Sequence, residues 1–242
     1  MNWEVLMIQQ LFKKSNKTKN IVCITVLFSL IWTTLARIFS SLTGVTYNTS
    51  FLNSVSSFLS VAVPMFMTVL LFLYFVKQTK GLVYIKELYS TKHKEIQNPY
   101  LKIIASIIVI AMLLFACYNF YTNMGSIIKN WNSDSLPRIL SCLISALCVG
   151  MTEETIFRGF SLRELRQNNN EWTSFIVQQI LFGFWHLPNV IIGAPFLQSC
   201  FQVLFAIILG TGLYLSLRVT RSLKGAILFH AFWDFALFIA IT

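Results

Sequence analysis

The chain has 242 residues, 56% of them apolar and only 12% charged, with a mean hydropathy of +0.67. A soluble domain is about one quarter charged, so this composition excludes an ordinary water-soluble globular protein and places the chain in the membrane class. The formal net charge of +10 does not indicate nucleic acid either, because the lysines and arginines stand in short blocks between apolar runs and the 22 Phe are not interleaved with them.

In chain order, Met1–Phe12 has an amphipathic pattern suited to the membrane surface, and Lys13, Lys14, Lys17 and Lys19 complete a basic N-terminus over residues 1–19. The apolar run behind it is about twenty residues long, enough to cross a bilayer and longer than the core of a cleaved signal, so it reads as an uncleaved first helix. Seven apolar segments follow one another: Asn20–Leu42, Val55–Val76, Leu101–Tyr121, Pro137–Phe160, Trp172–Ile192, Phe196–Leu217 and Leu223–Thr242. Pro188 predicts that the fifth kinks or stops just after His186, since proline removes a donor and disfavours helix at the residue before it. The connection Lys77–Tyr100, with Lys86, Glu87, Lys92, Lys94 and Glu95, predicts a surface helix.

The loop charges agree with this count. Basic blocks precede the first segment, fill Lys77–Lys102, follow the fourth at Arg163 and Arg166, and precede the last at Arg218, Arg221 and Lys224. The intervening loops hold Lys129 alone or no cation, so basic and non-basic loops alternate. By the positive-inside rule the N-terminus is cytoplasmic. The expected fold is an all-α polytopic membrane bundle of about seven transmembrane helices, a single membrane domain over residues 1–242 in the cell membrane. Its partner would be the lipid bilayer, with no nucleic acid.

The five cysteines lie inside apolar runs, form no C-x-x-C pair and are odd in number, which argues for packing rather than a disulfide framework. Gly210-Thr211-Gly212 lies within an apolar segment and suits close helix packing. No phosphate loop, dinucleotide fingerprint or nucleophile elbow is present.

The chemistry concentrates around Glu153-Glu154-Thr155-Ile156-Phe157-Arg158, in a chain with nine acidic residues altogether. Carboxylates near bilayer depth are costly unless paired or facing a cavity. Residues four apart share a helix face, so Glu154 and Arg158 pair while Glu153, about 100° around the helix, is left to face a cavity. His230 and Asp234 share a face in the same way, and His186 stands within the fifth segment; the remaining histidine, His93, reads as a solvated loop residue. A rise of about 1.5 Å per residue puts Glu153 and His230 roughly 10 Å from the cytoplasmic ends of their helices and His186 about 20 Å. The expectation is a shared site opening to the cytosol. There Glu153 would take a proton from water, His186 would orient or share it, and His230 with Asp234 would stabilise the oxyanion. Glu153, His186 and His230 could also hold a divalent metal such as zinc, although H-E-x-x-H is absent. The alternative for these groups is a structural ion-pair cluster tying helices together.

These residues resemble the CPBP family of intramembrane proteases, the CAAX proteases and bacteriocin-processing (Abi) enzymes. The family pattern E-E-x-x-x-R falls on Glu153, Glu154 and Arg158, F-x-x-x-H on Phe182 and His186, and H-x-x-x-N/D on His230 and Asp234. The likeness covers about residues 135–235. It implies an intramembrane endopeptidase in which Glu153 and His186 activate water and His230 with Asp234 stabilises the oxyanion, with Glu154, Arg158 and Phe182 in support. The compact form resembles bacterial members associated with peptide maturation or bacteriocin self-immunity. A non-catalytic immunity or signalling partner of the same family is the second reading, and a transporter, which would spread polar residues over more spans, the third.

Overall fold

The computed structural model describes residues 17–45 and 54–239, so the surface segment expected at Met1–Phe12 lies outside the described residues. Seven helices run back and forth among them: α1 (Lys17–Thr43), α2 (Val55–Ser90), α3 (Pro99–Lys129), α4 (Ser135–Glu154, continued by a π-helical turn Thr155–Ser161 and by Leu162–Leu165), α5 (Glu171–Phe184), α6 (Phe196–Thr220) and α7 (Leu223–Phe238). There is no strand among the described residues. Six of these helical stretches are long and apolar enough to cross a membrane, and α7, with 16 residues, spans about 24 Å beside them.

Helix boundaries follow local chemistry. Ser54 and Ser57 cap the start of α2 reciprocally, Asn98 followed by Pro99 opens α3, Asn170 opens α5 and Ser222 opens α7, each side-chain oxygen accepting from otherwise orphaned backbone N–H groups. Gly81 (φ 85°) breaks α2 and separates the membrane span from the surface helix expected in the Lys77–Tyr100 connection. Proline acts where expected in the fifth segment: α5 stops at Phe184, and Leu187–Ile192 around Pro188 forms a 3₁₀ turn.

α4 is the central helix, packed chiefly between α2 and α7. α3 is the peripheral one. It buries Ala105, Val109 and Ala116 and exposes Ile103, Ile107, Ile110 and Leu114, an inversion of the soluble pattern that fits a surface facing lipid. Small residues bring the helices close enough to assemble a site. A β-carbon at Gly212 would lie 2.2 Å from the Met112 sulfur of α3, and one at Gly150 would lie 3.0 Å from the backbone of α7 at Ile227 and Ala231.

The end of the bundle that carries the basic loops is tied by charges. Glu164, fully buried, accepts from Lys80 (2.9 Å), Tyr84 (2.8 Å) and Gln167 (2.9 Å) and lies 3.5 Å from Lys17. Glu171 accepts from Tyr214 and Arg218, both at 2.6 Å, and pairs with Arg166. Arg218 also donates to the carbonyls of Lys94 (2.7 Å) and Glu95 (3.0 Å), fastening the 91–98 connection to α6. His93 departs from the solvated position expected of it. Its backbone N–H donates to the Arg221 carbonyl (3.0 Å) and its ring is partly buried, with Nε2 lacking a partner among the described residues. Burial first, then the guanidinium groups of Arg166, Arg163 and Arg218, pushes this imidazole down to about 4.

Candidate active site

The acidic pair sits at the last turn of regular α4. Thr152 donates to the Met65 carbonyl (2.9 Å), which ties this turn to α2, and Gly150 lets α7 approach from the other side. Directly after it the helix widens into the π turn Thr155–Ser161, a form with one surplus residue that occurs mostly at functional sites.

Glu154 and Glu153 divide as their angular separation requires. Glu154, fully buried, lies 3.0 Å from the Arg158 guanidinium, and its Oε1 is 2.9 Å from His230 Nδ1. A carboxylate shared with arginine only accepts, so the bond fixes the proton on Nδ1 and leaves His230 Nε2 turned toward the other two acids. Nε2 lies 3.9 Å from Glu153 and 3.5 Å from Asp234. Arg158 in turn donates to the Gly210 carbonyl (3.0 Å) and lies over the Phe182 ring at 4.0 Å. Gln179 donates to the same carbonyl at 3.0 Å. A β-carbon at Gly210 would come within 2.4 Å of Gln179 Oε1 and 2.7 Å of the Phe182 ring, so this close approach requires glycine.

His186 is placed by the early end of α5. Trp185 turns inward onto Phe157 (5.4 Å between centroids), and its carbonyl accepts from Ser29 of α1 at 3.2 Å. His186, the next residue, faces the hollow, with its ring edge-on to Phe182 at 5.5 Å. Glu153, His186, His230 and Asp234 therefore line one cavity of about 560 Å³, together with Phe182.

The cavity opens toward one end of the bundle. Toward the basic loops the space below Glu153 is filled by Ile156, Phe157, Phe160 and Leu213, all fully buried. The hollow runs the other way, past Val61 near the start of α2, Ile192 and Ala194, Gln198 and Gln202 of α6, and Phe238 at the end of α7. All of these belong to the end opposite the basic loops. Depth counted from helix ends placed His186 about twice as deep as Glu153 and His230, and the cavity follows His186 toward Ile192.

Gln179, Asn189, Gln198 and Gln202 did not stand out in the sequence, nor did the role of the Gly210 carbonyl. A backbone carbonyl has no sequence signature, and an amide in an apolar run reads as packing until its partner is known; the small pair Gly210 and Gly212 was the only available hint. The possible metal set fares differently. Among the described residues no group of three His, Cys, Asp or Glu side chains is arranged to hold an ion, so Glu153, His186 and His230 do not fit the zinc set considered for them.

Residues 135–236 match the model of a family described as type II CAAX prenyl endopeptidase Rce1-like. Over that span the chain is Rce1-like. The Rce1-like segment begins at the first residue of α4 and ends just past Asp234, so it contains all four residues that line the floor of the cavity and both of their supports, Glu154 and Arg158. The matched segment lies in a chain with six helices long and apolar enough to cross a membrane among the described residues. No curated protein and no solved structure matches the chain.

Proposed function

We propose that the protein is an intramembrane endopeptidase that hydrolyses a peptide bond of a membrane-associated peptide or protein. The observation that carries this reading is the convergence of Glu153, His186, His230 and Asp234, from three helical segments, on one cavity. Glu153 removes a proton from water, and the oxygen attacks the scissile carbonyl carbon. His230, as imidazolium with Nδ1–H on Glu154, donates Nε2–H, and Asp234 in its protonated form donates O–H, to the carbonyl oxygen as it gains negative charge. Collapse of the tetrahedral intermediate breaks the C–N bond, and the proton passes by way of Glu153 and His186 to the departing amine. The products are one carboxylate and one amine. The protein works in a bacterial cell membrane, in peptide maturation or bacteriocin self-immunity, a role supported by its compact seven-helix form.

Purified protein in detergent is compared with Glu153→Gln and His186→Ala on membrane-associated peptides, with products read by mass spectrometry. Loss of a general base lowers turnover by about 10²–10⁴-fold. Equal cleavage by all three proteins would overturn the reading.

A further inference from the structure

We propose that the cavity takes its substrate from the non-cytoplasmic face of the membrane, as an apolar peptide segment reaching the outer leaflet; this rests on the endopeptidase reading for its chemistry but not for its geometry. Two independent observations meet here. The first is charge: Lys80, Lys92, Lys94, Arg163, Arg166 and Arg221 belong to one end of the bundle, whereas the other end carries Arg37, Lys129 and Arg138 among the described residues. Positive charge in short loops marks the cytoplasmic side. The second is shape. The cavity mouth lies between the start of α2, the Gly193–Pro195 turn with the first turns of α6, and the end of α7, all at the sparsely charged end. Its floor is closed toward the basic end by the buried Ile156, Phe157, Phe160 and Leu213.

The lining also indicates what enters. Above the ionisable floor no lysine or arginine among the described residues lines the hollow; the walls are Phe201, Phe205, Trp233 and Leu237, with amides at Asn189, Gln198 and Gln202. Asn189 donates to Gln202 (3.1 Å), and its Oδ1 is buried without a partner among the described residues, an acceptor for a peptide N–H. Apolar walls with a few amides suit an extended apolar peptide better than a charged cytosolic tail.

Two surface substitutions test the side of access without any cleavage assay. Gln198→Cys, at the exposed rim, and Lys92→Cys, in the basic connection, are treated in intact cells with a membrane-impermeant maleimide, with the native chain as background. The expected result is labelling of Gln198→Cys above that background in intact cells, and of Lys92→Cys only after permeabilisation. The reverse pattern, or no labelling of Gln198→Cys from outside, overturns the proposal. A phosphatase or green fluorescent reporter fused after Thr242 repeats the test on the native sequence: active phosphatase supports it, and a fluorescent fusion with silent phosphatase overturns it. A chain that labels from outside yet cleaves nothing sinks the endopeptidase reading and leaves the route of access standing.

Discussion

His230 is held through one ring nitrogen. Glu154 fixes Nδ1 at 2.9 Å, and Nε2 faces Glu153 and Asp234 at 3.9 and 3.5 Å. The role of Asp234 is therefore separable by substitution. Asp234→Asn keeps a group that can hydrogen-bond a developing oxyanion, while Asp234→Ala removes it. The expected outcome is measurable turnover in the Asn variant and a loss of about 10²–10³-fold in the Ala variant, read as kcat on one peptide. Equal loss in both would mean that the carboxyl itself is needed. Glu153, Glu154, Arg158, His186 and His230 were legible in the sequence because ionisable side chains in apolar runs demand an explanation. Gln179 and the Gly210 carbonyl were not, since the requirement they meet is set by Arg158, which reaches them from another helix.

Among the elements, α4 carries most of the burden. It meets α7 as closely as backbone allows at Gly150, where an added β-carbon lies 3.0 Å from both Ile227 O and Ala231 N. Backbone cannot swing aside as a flexible side chain can. Gly150→Val is expected to cost about 1–3 kcal/mol by overpacking. It should lower turnover as well, because the Glu154–His230 bond spans the same seam. Thermal unfolding and kcat measured together check this, and unchanged values of both would refute it. The helices themselves were legible from run length and loop charge, and Pro188 announced the early end of α5. The π turn was not, because nothing in Thr155–Ser161 differs in composition from an ordinary helical turn; the surplus residue is stabilised by Thr155 to Tyr89 (2.8 Å) and Ser161 to Thr25 (3.2 Å), hydrogen bonds to other helices.

At the scale of the whole molecule the two ends differ. The basic end includes His93, whose imidazole is held near 4 against an ordinary value of 6.5. Between those values the unfolded chain binds a proton that the folded chain refuses, so this group's contribution is complete above about pH 6.5 and is lost as the pH falls toward 4. His93→Gln is expected to lose less thermal stability than the native chain between pH 7 and pH 5; identical losses would refute it. The side on which the cavity opens was not legible in the sequence, because depth counted along separate helices does not say which end of the bundle is filled. The unequal fastening has a mechanical consequence. Parting the helices at the basic end would strip Glu164 and Glu171 of their cations. At the far end the ties among the described residues include Asn123 and Arg138 bonded to the α7-end carbonyls of Ala236 and Ile239, and any apolar side chain uncovered by parting is met by lipid tails of equal polarity. The basic end is thus the riveted handle of the bundle, where helices part only by uncovering buried and partly buried carboxylates.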